Sequence, residues 1–262
     1  MEITGTEYRA GTLYLTVVNT GWCNLSCPYC LSRNSCTDTI SAEICSAINN
    51  VTKTFKRDIY VFGGETFFDK DIVAKMAVFS DPITYQTNGT FDLSRCIPLL
   101  KAGDKISFTI HQGVHLKRVI ANISLCQDAG VLKDVDYMYC GDLKTFKVLK
   151  RLYPKMGFQV PFQYVNRFKS EIYRYDDYFD LEVDGELSTQ LRLVLKGLNL
   201  KGATCDGNIV IDLRGNVYKC EEHYFKGEPY TTIDNFYLND SPCDVVSCRV
   251  LNSTRKIHLP ES

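Results

Sequence analysis

The sequence predicts an α/β fold: a partial (β/α)6 barrel over residues 1 to about 185, followed by a small C-terminal β-hairpin appendage over 186–262. Three observations predict it. Short β-branched or aromatic runs alternate six times with amphipathic stretches, the pattern of parallel strands joined by helical crossovers. Three of the loops after those runs are unusual, and in such barrels function collects on the loops that follow strand C-terminal ends. From about Arg167 the alternation lapses, and spaced cysteines surround a β-rich segment with a turn in it.

Leu13–Val18 reads as a buried strand. It runs into Cys23-Asn-Leu-Ser-Cys27-Pro-Tyr-Cys30, three cysteines within eight residues. Ser41 caps a helix to about Phe55, with Ile44, Ile48, Val51 and Phe55 on one face. Ile59–Phe62 is a second strand and ends in Gly63-Gly64-Glu65. A helix over Asp71–Phe79 precedes a third strand, Ile83–Gln86, which ends in Thr87-Asn88-Gly89. Ser94–Lys101 reads as a short helix stopped near Gly103. The fourth strand, Ile106–Ile110, alternates cleanly and ends at His111. A helix over Leu116–Ala129, a strand over Val135–Tyr139 and a helix over Leu143–Leu152 follow. Phe158–Tyr164 is a sixth strand despite Pro161 in its middle. The domain boundary falls near Asp180–Ser188, and Ser188–Leu198 has helical spacing. Arg214-Gly215-Asn216 is turn chemistry between two β-rich stretches, hence a hairpin between Cys205 and Cys220.

A chain of 262 residues with 45% hydrophobic content can build one substantial core and an appendage. Thirty basic against 31 acidic residues leave a net charge of −1, which argues against capture of nucleic acid or of an anionic membrane. No run approaches the roughly 18 apolar residues of a membrane span. The N-terminus lacks the basic and apolar regions of a secretory signal, so a cytoplasmic location is expected.

In a reducing compartment, clustered cysteines point to metal rather than disulfides. Of the 12 cysteines, seven are clustered or motif-placed: Cys23, Cys27, Cys30, Cys205, Cys220, Cys243 and Cys248. Cys45, Cys96 and Cys126 read as small buried apolar residues. Closed structural zinc wants four ligands, whereas the first loop offers three and would leave one iron of a cluster open to a reactant. A zinc knuckle or a redox cysteine set are the competing readings.

The spacing C-x3-C-x2-C, with Tyr29 before the last cysteine, resembles the signature of the radical S-adenosylmethionine (radical SAM) enzymes. Gly63-Gly64-Glu65 resembles that family's GGE motif, with Thr66 where proline is common. Thr87-Asn88-Gly89 resembles a third-strand motif of the same family, and Ser107, Thr109 and His111 occupy one face of the fourth strand, where the family places polar cofactor contacts. A strand-five motif of Gly-x-Ile-x-Gly-x-x-Glu type is not found around Val135–Gly141. The resemblance implies a TIM-like partial barrel, with Cys23, Cys27 and Cys30 holding a 4Fe–4S cluster that binds S-adenosylmethionine. It implies that Tyr29 lies near the adenine, that Glu65 and the glycines hold the cofactor's amino group, and that Asn88, Ser107, Thr109 and His111 line its pocket.

Cys205-x9-Gly215-x4-Cys220, with Cys243 and Cys248 beyond, resembles the Twitch appendage, the shorter form of the SPASM domain. Those four thiolates would close an auxiliary 4Fe–4S cluster, or equally a structural zinc site. The implied activity is reductive cleavage of S-adenosylmethionine and hydrogen abstraction from a substrate in the barrel mouth. A dehydrogenase-type oxidation of a small molecule is the first expectation. A peptide or protein substrate is the second, and a non-catalytic zinc or cluster protein the third. A low-potential donor such as flavodoxin or ferredoxin would supply the electron.

Overall fold

The structure is a computed structural model that describes residues 12–27, 30, 36–111, 113–140, 143–152, 157–159, 204–205, 208–239 and 257–258. Tyr29, Cys243, Cys248, the boundary near 180–188 and the helix expected over 188–198 lie outside the described residues.

The strand–helix alternation is present. Strands β1 (Leu13–Val18), β2 (Arg57–Phe62), β3 (Ile83–Thr87), β4 (Lys105–His111), β5 (Leu132–Cys140) and β6 (Gly157–Gln159) are joined by helices α1 (Ala42–Thr52), α2 (Ile72–Met76), α3 (Leu116–Asp128) and α4 (Leu143–Leu152). The six strands pair in parallel, in sequence order. The helix expected over Ser94–Lys101 is a correction: only a single 3₁₀ turn forms, Ile97–Leu99, with Pro98 at its start. Proline donates no backbone hydrogen bond and so stops a longer helix from propagating.

Strand alternation separates two faces. Leu13, Leu15, Val17, Ile59, Val61, Ile83, Tyr85, Ile106, Phe108 and Ile110 form one buried core with Ile48 of α1, Met76 of α2 and Val119 and Ile123 of α3. The intervening residues, among them Thr16, Tyr60, Phe62, Thr84, Gln86, Ser107, Thr109 and His111, belong to the other face. That face is concave. Lys133 on β5 donates to the Tyr60 hydroxyl on β2, and its ammonium lies 4.1 Å from the ring centroid. Those strands are three apart in the sheet, about 14 Å if it were flat. The contact therefore needs the curl of a barrel wall.

The C-terminal hairpin is strands β8 (Asn208–Ile211) and β9 (Asn216–Tyr218). Its turn is built by Asp212, whose carboxylate accepts from Arg214 N (2.9 Å), Asn216 N (3.0 Å), Asn216 Nδ2 (2.9 Å) and the Tyr218 hydroxyl (2.9 Å). Gly215 takes a φ of 81°, which the turn requires. The hairpin does not stand apart from the barrel. β8 pairs in parallel with β1, and β10 (Thr231–Thr232) completes a nine-stranded sheet in the order β10-β9-β8-β1-β2-β3-β4-β5-β6. Between them, α5 (Glu221–Lys226) follows Cys220 directly. Strand β7 (Thr204–Cys205) pairs instead with β11 (Ile257–His258). No helix among the described residues is long and apolar enough to cross a membrane.

Candidate active site

The first three strand ends are bonded into one unit. The loop after β1 leaves at Asn19, whose N–H donates to Phe62 O (3.0 Å), and returns where Ile40 N donates to Asn19 O (2.7 Å). Thr20 and Thr39 pair as an isolated bridge, which closes the neck of this loop. The segment after β2 runs beside the loop's first residues: Gly64 N donates to Thr20 O (2.8 Å) and Glu65 N to Trp22 O (2.6 Å). Trp22 then stacks on Phe68, with ring centroids 4.1 Å apart.

This contact explains the two glycines. A Cβ on Gly63 would sit 2.3 Å from Thr20 O, and one on Gly64 1.9 Å from Trp22 O. The space they clear is filled by backbone at the entry to the cysteine loop.

Glu65 is buried, with 1% of its surface exposed. Its Oε1 accepts from Phe67 N (3.1 Å) and the Thr87 hydroxyl (2.6 Å), and its Oε2 from Asn88 N (2.8 Å). A carboxylate offers about four acceptor positions, so these three bonds leave one. Burial pushes the carboxyl above the usual range, against the pull of its three donors. Such a group gains from a cationic partner.

Cys23, Cys27 and Cys30 are each half-buried. Cys30 N donates to Cys27 O (3.0 Å), which holds these two cysteines close together. Around Cys23 Sγ the neighbours include donors: Leu25 N at 3.4 Å and Asn88 Nδ2 at 3.6 Å. Donors aimed at sulfur suit a thiolate ligand, so the donor set fits an iron–sulfur cluster. Among the described residues, no three Cys, His, Asp or Glu side chains are spaced to hold a single metal ion. A cluster differs in spreading its ligands over separate irons.

The polar residues of β4 lie where expected, on the concave face, with Gln86 Nε2 donating to Thr109 Oγ1 (3.1 Å). Burial holds the His111 imidazole down to about 4. This sets a pH dependence. The unfolded chain takes up this proton near 6.5 and the folded chain only near 4, so His111 contributes stability above 6.5 that is lost as pH falls toward 4. At 1.36 kcal/mol per pH unit the loss is about 3 kcal/mol. Urea denaturation at pH 7.5 and 4.5 should reveal it in the wild type and a shallower fall in His111→Gln; parallel falls would refute it.

In the second cysteine group, Cys205 is on β7 and Cys220 lies between β9 and α5. The sequence reading missed two further features. Asn24 and Thr90 join Asn88 in a ring of side-chain hydrogen bonds. Phe62, Tyr218 and Tyr224 form an aromatic cluster with Val18 and Val210, Tyr224 meeting Tyr218 edge-on at 5.3 Å. A flanking Thr after Thr-Asn-Gly was the available signal for the first. The second depends on the pairing of β8 with β1, which local pattern does not encode.

This fold, a largely parallel sheet curled into a partial TIM-like barrel, is shared with solved structures. Among solved structures, the chain is similar to native anSMEcpe with bound AdoMet and Cp18Cys peptide, at 16% identity, 86% of this chain, 78% of that chain and a TM-score of 0.60. It is similar to the same protein with Kp18Cys peptide at 16% identity, with the same coverage and a TM-score of 0.59. A Streptococcus suis protein, SuiB bound to precursor peptide SuiA, matches at 12% identity over 85% of this chain and 62% of that chain, with a TM-score of 0.44. No protein-family profile and no curated protein matches.

Proposed function

We propose that this chain is a radical SAM enzyme, with Cys23, Cys27 and Cys30 as ligands of a 4Fe–4S cluster. The observation that carries the reading is the bonding of the cysteine loop, Glu65 and Asn88 into one rim unit. When bound and reduced by a donor such as flavodoxin or ferredoxin, the cluster supplies the electron that splits S-adenosylmethionine into methionine and a 5′-deoxyadenosyl radical. The protein's part is to hold and shield. Glu65 presents its remaining acceptor position to the cofactor's ammonium. Ser107, Thr109 and a neutral His111 offer hydroxyls and an imidazole to its ribose or carboxylate, and the resemblance assigns Tyr29 to the adenine. Phe62, Tyr218 and Tyr224 supply apolar surface that keeps water from a radical.

The net reaction we favour is a dehydrogenase-type oxidation of a small molecule; Cys205, Cys220, Cys243 and Cys248 would hold an auxiliary 4Fe–4S cluster, which would supply the acceptor for the electron left on the substrate after hydrogen-atom removal, the accompanying proton leaving to solvent. A peptide substrate is the second reading, supported by the likeness to anSMEcpe, solved with AdoMet and a peptide. Anaerobically reconstituted protein, given dithionite and S-adenosylmethionine, is expected to release 5′-deoxyadenosine. Panels of small alcohols and of cysteine-bearing peptides then divide the two readings by which accelerates release. A chain that takes up only zinc and releases no 5′-deoxyadenosine rejects both.

A further inference from the structure

The ring of side chains beside Cys23 has a fixed direction. Asn24 Nδ2 donates to the Thr90 hydroxyl (2.8 Å), and that hydroxyl donates to Asn88 Oδ1 (2.6 Å). Asn88 Nδ2 donates back to Asn24 Oδ1 (3.0 Å) and closes the ring. Thr90 N also donates to Asn88 Oδ1 (3.0 Å). Turning either amide over would set like against like, donor to donor or acceptor to acceptor. The orientation of Asn88 is therefore determined by its partners. One of its two amide hydrogens serves the ring. The other is aimed at Cys23 Sγ, at 3.6 Å. Asn88 is buried, with 4% exposed, and its own N–H is held by Glu65. Neither the backbone nor the side chain can swing away.

We propose that Asn88 is a positioning residue that sets the reduction potential of the cluster held by Cys23, through a directed N–H···S hydrogen bond locked by Asn24 and Thr90. This rests on the radical SAM reading above. It also changes the part assigned to Asn88, from contact with S-adenosylmethionine to contact with a cluster ligand. The physical reason is charge. Reduction adds an electron to the cluster and its thiolates, and a hydrogen-bond donor at sulfur stabilises the more negative state. A donor fixed in space raises the potential more than a mobile one, because no orientational freedom is lost when the electron arrives.

The test is a potentiometric titration of the anaerobically reconstituted protein, without S-adenosylmethionine, followed by the electron paramagnetic resonance signal of the reduced cluster. Cys205→Ala/Cys220→Ala is introduced throughout, so that the rim cluster is the one observed. Asn88→Leu keeps the volume and removes the donor; it is expected to move the midpoint to a more negative potential. Thr90→Val keeps Asn88 but unlocks the ring, and is expected to shift the midpoint in the same direction by less. It also serves if Asn88→Leu fails to fold. Midpoints equal to the parent's in the variants that retain about four irons overturn the inference while leaving the radical SAM reading intact. A parent protein that takes up no iron at Cys23, Cys27 and Cys30 overturns that reading, and this inference with it. The iron count separates the two failures.

Discussion

Cys27→Ala is expected to stop 5′-deoxyadenosine release altogether and to remove about four irons per chain. A cluster with three protein ligands has none to spare. Loss of a residue that merely supports a metal ligand costs roughly 10–100-fold, and loss of a ligand itself should exceed that. Cys126→Ala is the control. It is fully buried on the inner face of α3 in the hydrophobic core, so its loss should leave product formation unchanged. Iron analysis and chromatography of the quenched reaction read both outcomes. Full product release from the Cys27 variant would return the loop to the zinc or plain-thiol readings.

Gly64→Ala should have the second largest effect, and it needs no assumption about cofactor. The new methyl would sit 1.9 Å from Trp22 O, 2.2 Å from Trp22 C and 2.9 Å from Cys23 N. All three are backbone atoms, so no rotamer change relieves the overlap. Overpacking of this kind costs typically 1–3 kcal/mol and at times more; with backbone on both sides we expect about 3 kcal/mol. Relief comes by parting the two segments, which breaks the bonds from Gly64 N to Thr20 O and from Glu65 N to Trp22 O. The loop that carries Cys23 then shifts. Urea denaturation should show the loss of stability, and reconstitution should load less iron on the rim. A variant as stable as wild type would mean that the segments do not pack this closely.

Strands β1 to β4 were legible because each is a short β-branched run whose alternate residues bury against helices. Leu13–Val18 and Leu143–Leu152 fall on their expected bounds. The cysteine spacing and the loop positions were legible because they are local. What was not legible depended on contacts between distant segments. The packing of Gly63 and Gly64 against Thr20 and Trp22 was hidden because the two segments are distant in the chain. The contact of Asn88 with Cys23 was hidden because the two lie 65 positions apart. The joining of the hairpin to β1 was hidden for the same reason, since parallel pairing needs no nearby turn.

That joining makes the pair a ruler. β8 runs beside β1 in fixed register, Tyr14 to Asn208 through Val17 to Ile211. Cys23 follows the upper end of β1, while Cys205 and Cys220 flank the open, lower end of the hairpin. From Tyr14 to Val18 the strand rises about 13 Å, so the open end of the hairpin is set along β1 by strand length rather than by a pliant linker. A slip of one residue turns every side chain to the opposite face, so the register tolerates only paired steps, about 6.6 Å each. A spacing of this kind cannot drift by small increments: it is kept, or it is lost.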